Sequence, residues 1–227
     1  MIYGISDLHL DHTGSKSMEV FGEAWKDYEN RIFTNWKDMI SDDDIVLIPG
    51  DISWAMKIDD VIYDLKRIDS LPGTKILLKG NHDYWWQSLK KLKSLRLESL
   101  LFLQNNSYFL GGYNIVGSRA WLARDNSSFT EEDEPIFKRE LIRLKLSLDS
   151  ISDEAPIIAM LHYPPFDRYK NPNEFGQLLK EYDVEKCIYG HLHSEGLSAV
   201  VEGQIDGIEY TCLSADYIDF KPVLIGE

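Results

Sequence analysis

The stretch Ile76-Leu77-Leu78-Lys79-Gly80-Asn81-His82-Asp83 passes from an apolar run, through a glycine, to an amide, an imidazole and a carboxylate in succession. A short apolar run bounded by glycine reads as a buried strand, which places the three polar side chains at its C-terminal end. Four other places repeat the pattern. Ile5 leads to Asp7 and His9, Ile45-Val46-Leu47-Ile48 to Asp51, Ile157-Ile158-Ala159-Met160-Leu161 to His162, and Ile188-Tyr189 to His191 and His193. Sheets of α/β proteins place ligands outside the carboxyl ends of their strands, so this repetition bears on the fold and on the site together.

Working outward, Met18, Phe21, Trp25, Tyr28, Ile32, Trp36 and Met39 recur every three or four residues, which predicts one helix over 17–40 with an aromatic core face. Asp42-Asp43-Asp44 closes it as a turn expected to face water. Ile58, Val61, Ile62, Leu65 and Ile68 predict a second helix, Pro72-Gly73 a turn, and 84–94 a third helix. The order strand, helix, strand, helix, strand, helix implies parallel strands with crossover helices. The middle then changes character. Leu101-Phe102-Leu103, Tyr108-Phe109-Leu110 and 113–117 predict short strands with a Gly111-Gly112 hairpin turn. A long helix to about Ser150 buries Phe137, Leu141, Leu144 and Leu148, and Pro135 fits only in its first turn. After the strand at 155–161 come a short helix near 173–182 and a strand at 186–189. Strands at 197–201, 204–205, 208–213 and 220–225 end the chain, with an Asp206-Gly207 turn. The expected class is α/β (α+β): two sheets packed face to face, partly antiparallel and covered by helices, in one domain over 1–227.

Composition narrows the function classes. A chain of 227 residues with 44% hydrophobic and 27% charged residues has the balance of a soluble globular protein. No apolar run approaches the ~18 residues of a membrane span, and strand-like residues follow Met1 directly, so a cytoplasmic protein is expected. Cys187 and Cys212 sit beside apolar residues and read as buried, reduced thiols. The net charge of −14 argues against a binder of long nucleic acid, whose phosphates are held chiefly by Lys and Arg. Some of that acidity would be offset by bound metal. The oligomeric state is left open.

Asp7, His9, Asp51, Asn81, His162, His191 and His193 make seven oxygen and nitrogen donors, enough for two metal ions that share a carboxylate. Asp51, alone at its strand end, is the natural bridge. Asp7-x-His9 and His191-x-His193 have the spacing that lets both side chains turn into one site. A lone Asp-x-His or His-x-His is commonly no more than a satisfied polar turn; the weight lies in their joint placement. Imidazole, carboxylate and amide donors without thiolate suit Mn, Fe, Zn, Co or Ni.

The ordered set Asp7-x-His9, Gly50-Asp51, Gly80-Asn81-His82-Asp83, His162 and Gly190-His191-Leu192-His193 resembles the calcineurin-like metallophosphoesterase superfamily, whose five motif blocks are all present in order. The resemblance implies a β-sandwich flanked by helices and a binuclear metal centre that hydrolyses a phosphoester. Matched by position, Asp7, His9, Asp51 and His193 would hold one ion, and Asp51, Asn81, His162 and His191 the other. His82 would face the substrate and Asp83 would hold it by a hydrogen bond. Two divalent transition-metal ions are expected, Mn favoured, with attack by a metal-activated hydroxide and His82 as general acid. A small phosphoester is the expected substrate, a diester of a small nucleotide slightly ahead of a monoester or phosphoprotein.

Other polar and aromatic residues near the motifs have competing readings. His12 reads as a solvated loop histidine more than as a ligand. Arg119 could clamp a phosphate or form an ion pair. Trp54, Tyr84 and Trp85 could stack on an aromatic group of the substrate, or serve packing.

Overall fold

The computed structural model describes residues 1–14 and 16–227. Its first sheet has the order β11-β1-β2-β3-β4, from Val223–Gly226 (β11), Ile2–Gly4 (β1), Ile45–Ile48 (β2), Thr74–Leu78 (β3) and Leu100–Leu103 (β4). The second has the order β5-β6-β7-β8-β10-β9, from Tyr108–Leu110 (β5), Tyr113–Ser118 (β6), Ile157–Leu161 (β7), Lys186–Tyr189 (β8), Ile208–Cys212 (β10) and Gly203–Ile205 (β9). β1 through β4 are parallel to one another, as are β6, β7, β8 and β10. Antiparallel pairing is confined to edge strands: β11 on β1, β5 on β6 and β9 on β10. The antiparallel portion is therefore smaller than the sequence suggests, because β10 lies parallel to β8 despite its hairpin with β9.

Strand alternation sorts the core into three slabs. Val46 and Ile48 face outward from the first sheet, against Ile32 and Trp36 of α1 (Tyr28–Met39) and Val61, Leu65 and Ile68 of α2 (Ile58–Asp69). Ile2, Leu47, Ile76 and Leu78 face the other way and meet Ile115, Ile158, Met160 and Ile188 between the sheets. Ala159, Leu161, Cys187 and Tyr189 pack outward from the second sheet on Phe137, Leu144, Phe175 and Leu179, carried by α4 (Asp133–Asp149) and α5 (Glu174–Glu181). The layers run helix, sheet, sheet, helix. Both faces of both sheets are covered, which is why the strands read as unbroken apolar runs.

Several expectations need correction. The helix over 17–40 is broken: 3-10 turns span Met18–Phe21 and Glu23–Trp25, and only Tyr28–Met39 is α-helical. Gly22 at φ 128° and Asp27 at φ 53° lie in backbone regions a helix cannot contain. Trp25, Tyr28, Ile32 and Trp36 are nevertheless core, while Phe21 and Met39 are exposed. Asp44 is buried rather than solvated and accepts from the Met1 ammonium at 2.8 Å and the Ser41 amide at 2.8 Å. The helix over 84–94 shrinks to α3 (Leu89–Lys93), with Asp83 drawing the preceding residues into a turn. No strand forms at 197–201; a 3-10 turn covers Ser194–Ala199. The Gly111-Gly112 turn is as expected, with φ 57° and 78°. Cys187 and Cys212 are free and buried, and burial pushes the Cys212 thiol up to about 12. No described helix is long and apolar enough to cross a membrane.

Candidate metal centre

Because the parallel strands of both sheets end on one rim, the loops after β1, β2, β3, β7 and β8 converge there. Backbone bonds lock the loops together. The Asp7 amide donates to the Gly50 carbonyl (3.0 Å), that of His9 to Asp51 (2.9 Å), that of Ser6 to Leu213 (2.8 Å) and that of Gly190 to His162 (3.2 Å). Two glycines make the approach possible. A Cβ at Gly50, where φ is +102°, would sit 2.7 Å from both the Gly80 Cα and the His162 Nδ1. At Gly190 it would collide with Ser6 Oγ and Asp7 Oδ2.

Asp7, His9, Asp51 and His191 all have positive φ, between 44° and 74°. Non-glycine residues pay for this region with local strain, which persists only where surrounding structure fixes it. Four of the seven expected donors are held in this way.

The ligand atoms of Asp7, His9 and His193 lie within 4.8 Å of one another, and so do those of Asp7, Asp51 and His162. Asp51 Oδ2 stands 3.7 Å from His9 Nε2 and 3.4 Å from His162 Nε2, while its Oδ1 accepts from the His82 amide at 2.8 Å. Asn81 Oδ1 lies 2.7 Å from His162 Nε2 and 3.0 Å from His191 Nδ1. All seven sequence-selected donors thus meet on one rim, in two histidine sets with carboxylates between them. Asp7 belongs to both groups, so two carboxylates lie at the centre where the sequence reading put Asp51 alone.

Electrostatics favour a cation there. Asp7 and Asp51 are buried, and their ion-pair partners among the described residues are histidines. Buried carboxylates without compensating charge are costly. Burial works against charging Asp7, but His193 outweighs it and holds the carboxyl down at about 2. Burial likewise opposes a charged His193, yet Asp7 and Asp216 hold it up at about 10. Burial lowers His9 to about 4 and His191, with the neighbouring His162, to about 3, leaving both imidazoles neutral and able to ligate. His9 Nδ1 and His193 Nε2 are buried with no hydrogen-bond partner. The donor set, the neutral rings of His9 and His191, and two buried carboxylates with only histidines beside them all fit divalent metal.

Asp216, which the sequence reading missed, accepts from His193 Nδ1 at 2.8 Å and from the Ser194 amide at 3.1 Å. That bond turns His193 Nε2 toward Asp7, 3.2 Å away. The signal was a sixth instance of the opening pattern: the strand at 208–213 runs into Ser214-Ala215-Asp216. Partners of this kind typically contribute about 10- to 100-fold to metal affinity. Asp216→Asn is expected to weaken metal binding by about that factor, read by titration against a fluorescent chelator; unchanged affinity would remove this role.

The expectation that Asp83 holds His82 by a hydrogen bond is not met. Asp83 is buried, and its oxygens accept from the amides of Ile52 (2.9 Å), Ser53 (3.3 Å) and Gly80 (2.7 Å) and from Trp85 Nε1 (3.0 Å). Four donors fill it, so it staples the β2 loop to the β3 loop instead. Burial, with Asp51 nearby, lifts it to about 6. His82 is placed by its own amide bond to Asp51 and by Trp54, whose ring centroid is 4.5 Å from its own.

Trp54 also stacks on His9 at 4.7 Å and 20°, and Trp85 is fully buried, so both serve packing; Tyr84 is exposed. Aromatic surface near the centre comes from elsewhere: Trp121, Tyr163, Phe166 and Leu192 line a cavity of about 300 Å³ that reaches His191. His12 stands 3.5 Å from buried Asp64, outside both donor groups. Arg119 forms an ion pair with Glu140 (3.3 Å).

The family model for calcineurin-like phosphoesterases matches residues 1–195. This chain belongs to that family. Its two mixed sheets flanked by helices are consistent with that family's architecture. Among solved structures it is similar to the phosphopantetheinyl hydrolase PptH of Mycobacterium tuberculosis (TM-score 0.59, 14% identity, 99% of this chain and 96% of that one). It is also similar to AQ665 of Aquifex aeolicus, a protein of unknown function (TM-score 0.53, 21% identity, 98% and 94%), and to TT1561 of Thermus thermophilus (TM-score 0.51, 15% identity, 85% and 81%). At these identities the likeness is one of fold. A curated relative, the Gene 66 protein of Mycobacterium phage L5, is 32% identical over 78 residues, 34% of this chain. The match spans about a third (37%) of that relative's length.

Proposed function

We propose that this chain hydrolyses a small phosphoester, a diester of a small nucleotide or similar molecule ahead of a monoester or phosphoprotein, with two divalent transition metals, Mn favoured. Asp7, His9, Asp51 and His193 would hold one ion, and Asp51, Asn81, His162 and His191 the other. The single observation that carries the reading is the position of Asp51 Oδ2 between His9 Nε2 and His162 Nε2, at 3.7 and 3.4 Å. Bound metal would supply Lewis acidity, lowering the pKa of water from ~15.7 toward ~7 and offsetting charge on the phosphoryl oxygens.

The chain's own residues do the rest. Half-buried His82 is presented at the rim by its amide bond to Asp51 and its contact with Trp54. From there it donates a proton to the leaving oxygen, a contribution of about 100- to 10,000-fold. Asp83 keeps the loops of Asp51 and Asn81 in fixed relation, and Asp216 fixes the ring of His193. The aromatic side of the cavity beside His191, formed by Trp121, Tyr163 and Phe166, offers one ester substituent a surface to pack on, which favours a diester with a ring-bearing group over a bare monoester. A non-catalytic scaffold would have no need to keep all seven donors and His82. Free, buried cysteines suit a reducing cytoplasm.

The test is turnover of bis(4-nitrophenyl) phosphate and of 4-nitrophenyl phosphate with and without added Mn. The expected result is Mn-dependent release of nitrophenol, faster from the diester. No metal-dependent turnover of either ester would remove the assignment.

A further inference from the structure

A second cavity, of about 280 Å³, opens between the ends of β3, β4 and β6. Lys79, Arg119 and Arg143 line it, together with Glu140, Gln104 and Ser88. Three cations stand against one carboxylate, in a chain whose net charge is −14. Buried Glu140 organises two of them: its Oε1 lies 2.8 Å from Arg143 Nη1 and 3.3 Å from Arg119 Nη2. Arg119 is further fixed by stacking on Trp121, 4.3 Å from the ring centre. Lys79 has no hydrogen-bond or ion-pair partner among the described residues. A structural ion pair balances its charges; this wall carries an excess of two positive charges facing a cavity with polar sides.

The cavity shares elements with the centre. Lys79 immediately precedes Gly80-Asn81, and the Arg119 carbonyl accepts from the Tyr163 amide at 3.0 Å. The Tyr163 ring in turn lies 3.9 Å from that of His191. The cavity is thus joined to the donor cluster through the β3 loop on one side and through Tyr163 on the other.

We infer that this cavity binds a second anionic group, phosphate or carboxylate, of the substrate. The inference rests on the phosphoesterase reading and narrows the substrate to phosphoesters bearing a further negative charge. Guanidinium and ammonium donors held before the ligand arrives recognise such groups by charge-assisted hydrogen bonds.

Two arms test it on the full-length protein. In the first, zinc-loaded protein is titrated with sodium sulfate at constant ionic strength while arginine Nε–H signals are followed by NMR. The expected result is a saturable shift of the Arg119 and Arg143 signals, with binding weakened about tenfold in Lys79→Met. In the second, hydrolysis of thymidine 3′-phosphate 5′-(4-nitrophenyl phosphate) is compared with that of thymidine 5′-(4-nitrophenyl phosphate). The doubly charged ester is expected to have about tenfold higher kcat/KM, and Arg143→Gln or Lys79→Met to collapse the ratio toward one. Absence of saturable sulfate binding would overturn the inference, and so would binding with no preference between the esters. Turnover of neither ester, with sulfate bound, would defeat the phosphoesterase reading and leave the anion pocket standing.

Discussion

Asp51→Asn is expected to cost the protein its paired metal site and to lower ester turnover by at least about 100- to 1,000-fold, the scale of losing one placed electrostatic group. The substitution keeps the side chain's shape and removes its charge. Asp51 Oδ2 faces a histidine of each set, and Oδ1 accepts from the His82 amide. A neutral amide leaves the repulsion between two dications less compensated, and if its NH₂ turns toward His82 it meets another donor. Metal content after exhaustive dialysis should fall below two ions per chain while thermal unfolding still reports a folded protein. Retention of both ions by the variant would exclude Asp51 as the bridge.

His82→Ala is expected to separate chemistry from metal binding. Alanine keeps the backbone amide that bonds Asp51, so the donor geometry survives, but the ring beside Trp54 is lost. Turnover should fall by about 100- to 10,000-fold with two ions still bound. An ester with a strongly acidic leaving group needs less proton donation and should lose less than one with a poor leaving group. A uniform loss across leaving groups would make His82 a binding residue; an unchanged rate would deny it any role.

Much of this was legible in the residues because the signal was simple. Unbroken apolar runs such as 45–48 and 157–161 announced strands buried on both faces, and the donors followed directly at their ends. What sequence could not supply was long-range pairing. Asp216 lies 23 residues from His193, and only the parallel placement of β10 beside β8 brings them together. Asp83 looked like a partner for its neighbour His82, but adjacent side chains on a turn diverge, and its carboxylate was already claimed by amides from the β2 loop. The helix over 17–40 failed for a local reason. Its apolar spacing continued through Gly22 and Asp27, but the backbone at both left the helical region, and burial of Trp25 and Tyr28 did not require a helix between them. The cationic cavity was invisible for the same reason as Asp216. Lys79, Arg119 and Arg143 are scattered in the chain, and Arg119 alone gave no ground to choose between a phosphate clamp and an ion pair.

The donors between Asp7 and His193 are expected to hold two ions around Asp51. Anomalous diffraction from crystals grown with manganese tests it most directly. Two peaks are expected about 3.5–4 Å apart on either side of Asp51, one beside His9 and His193, the other beside Asn81, His162 and His191. A single peak, or manganese bound away from these residues, would contradict it.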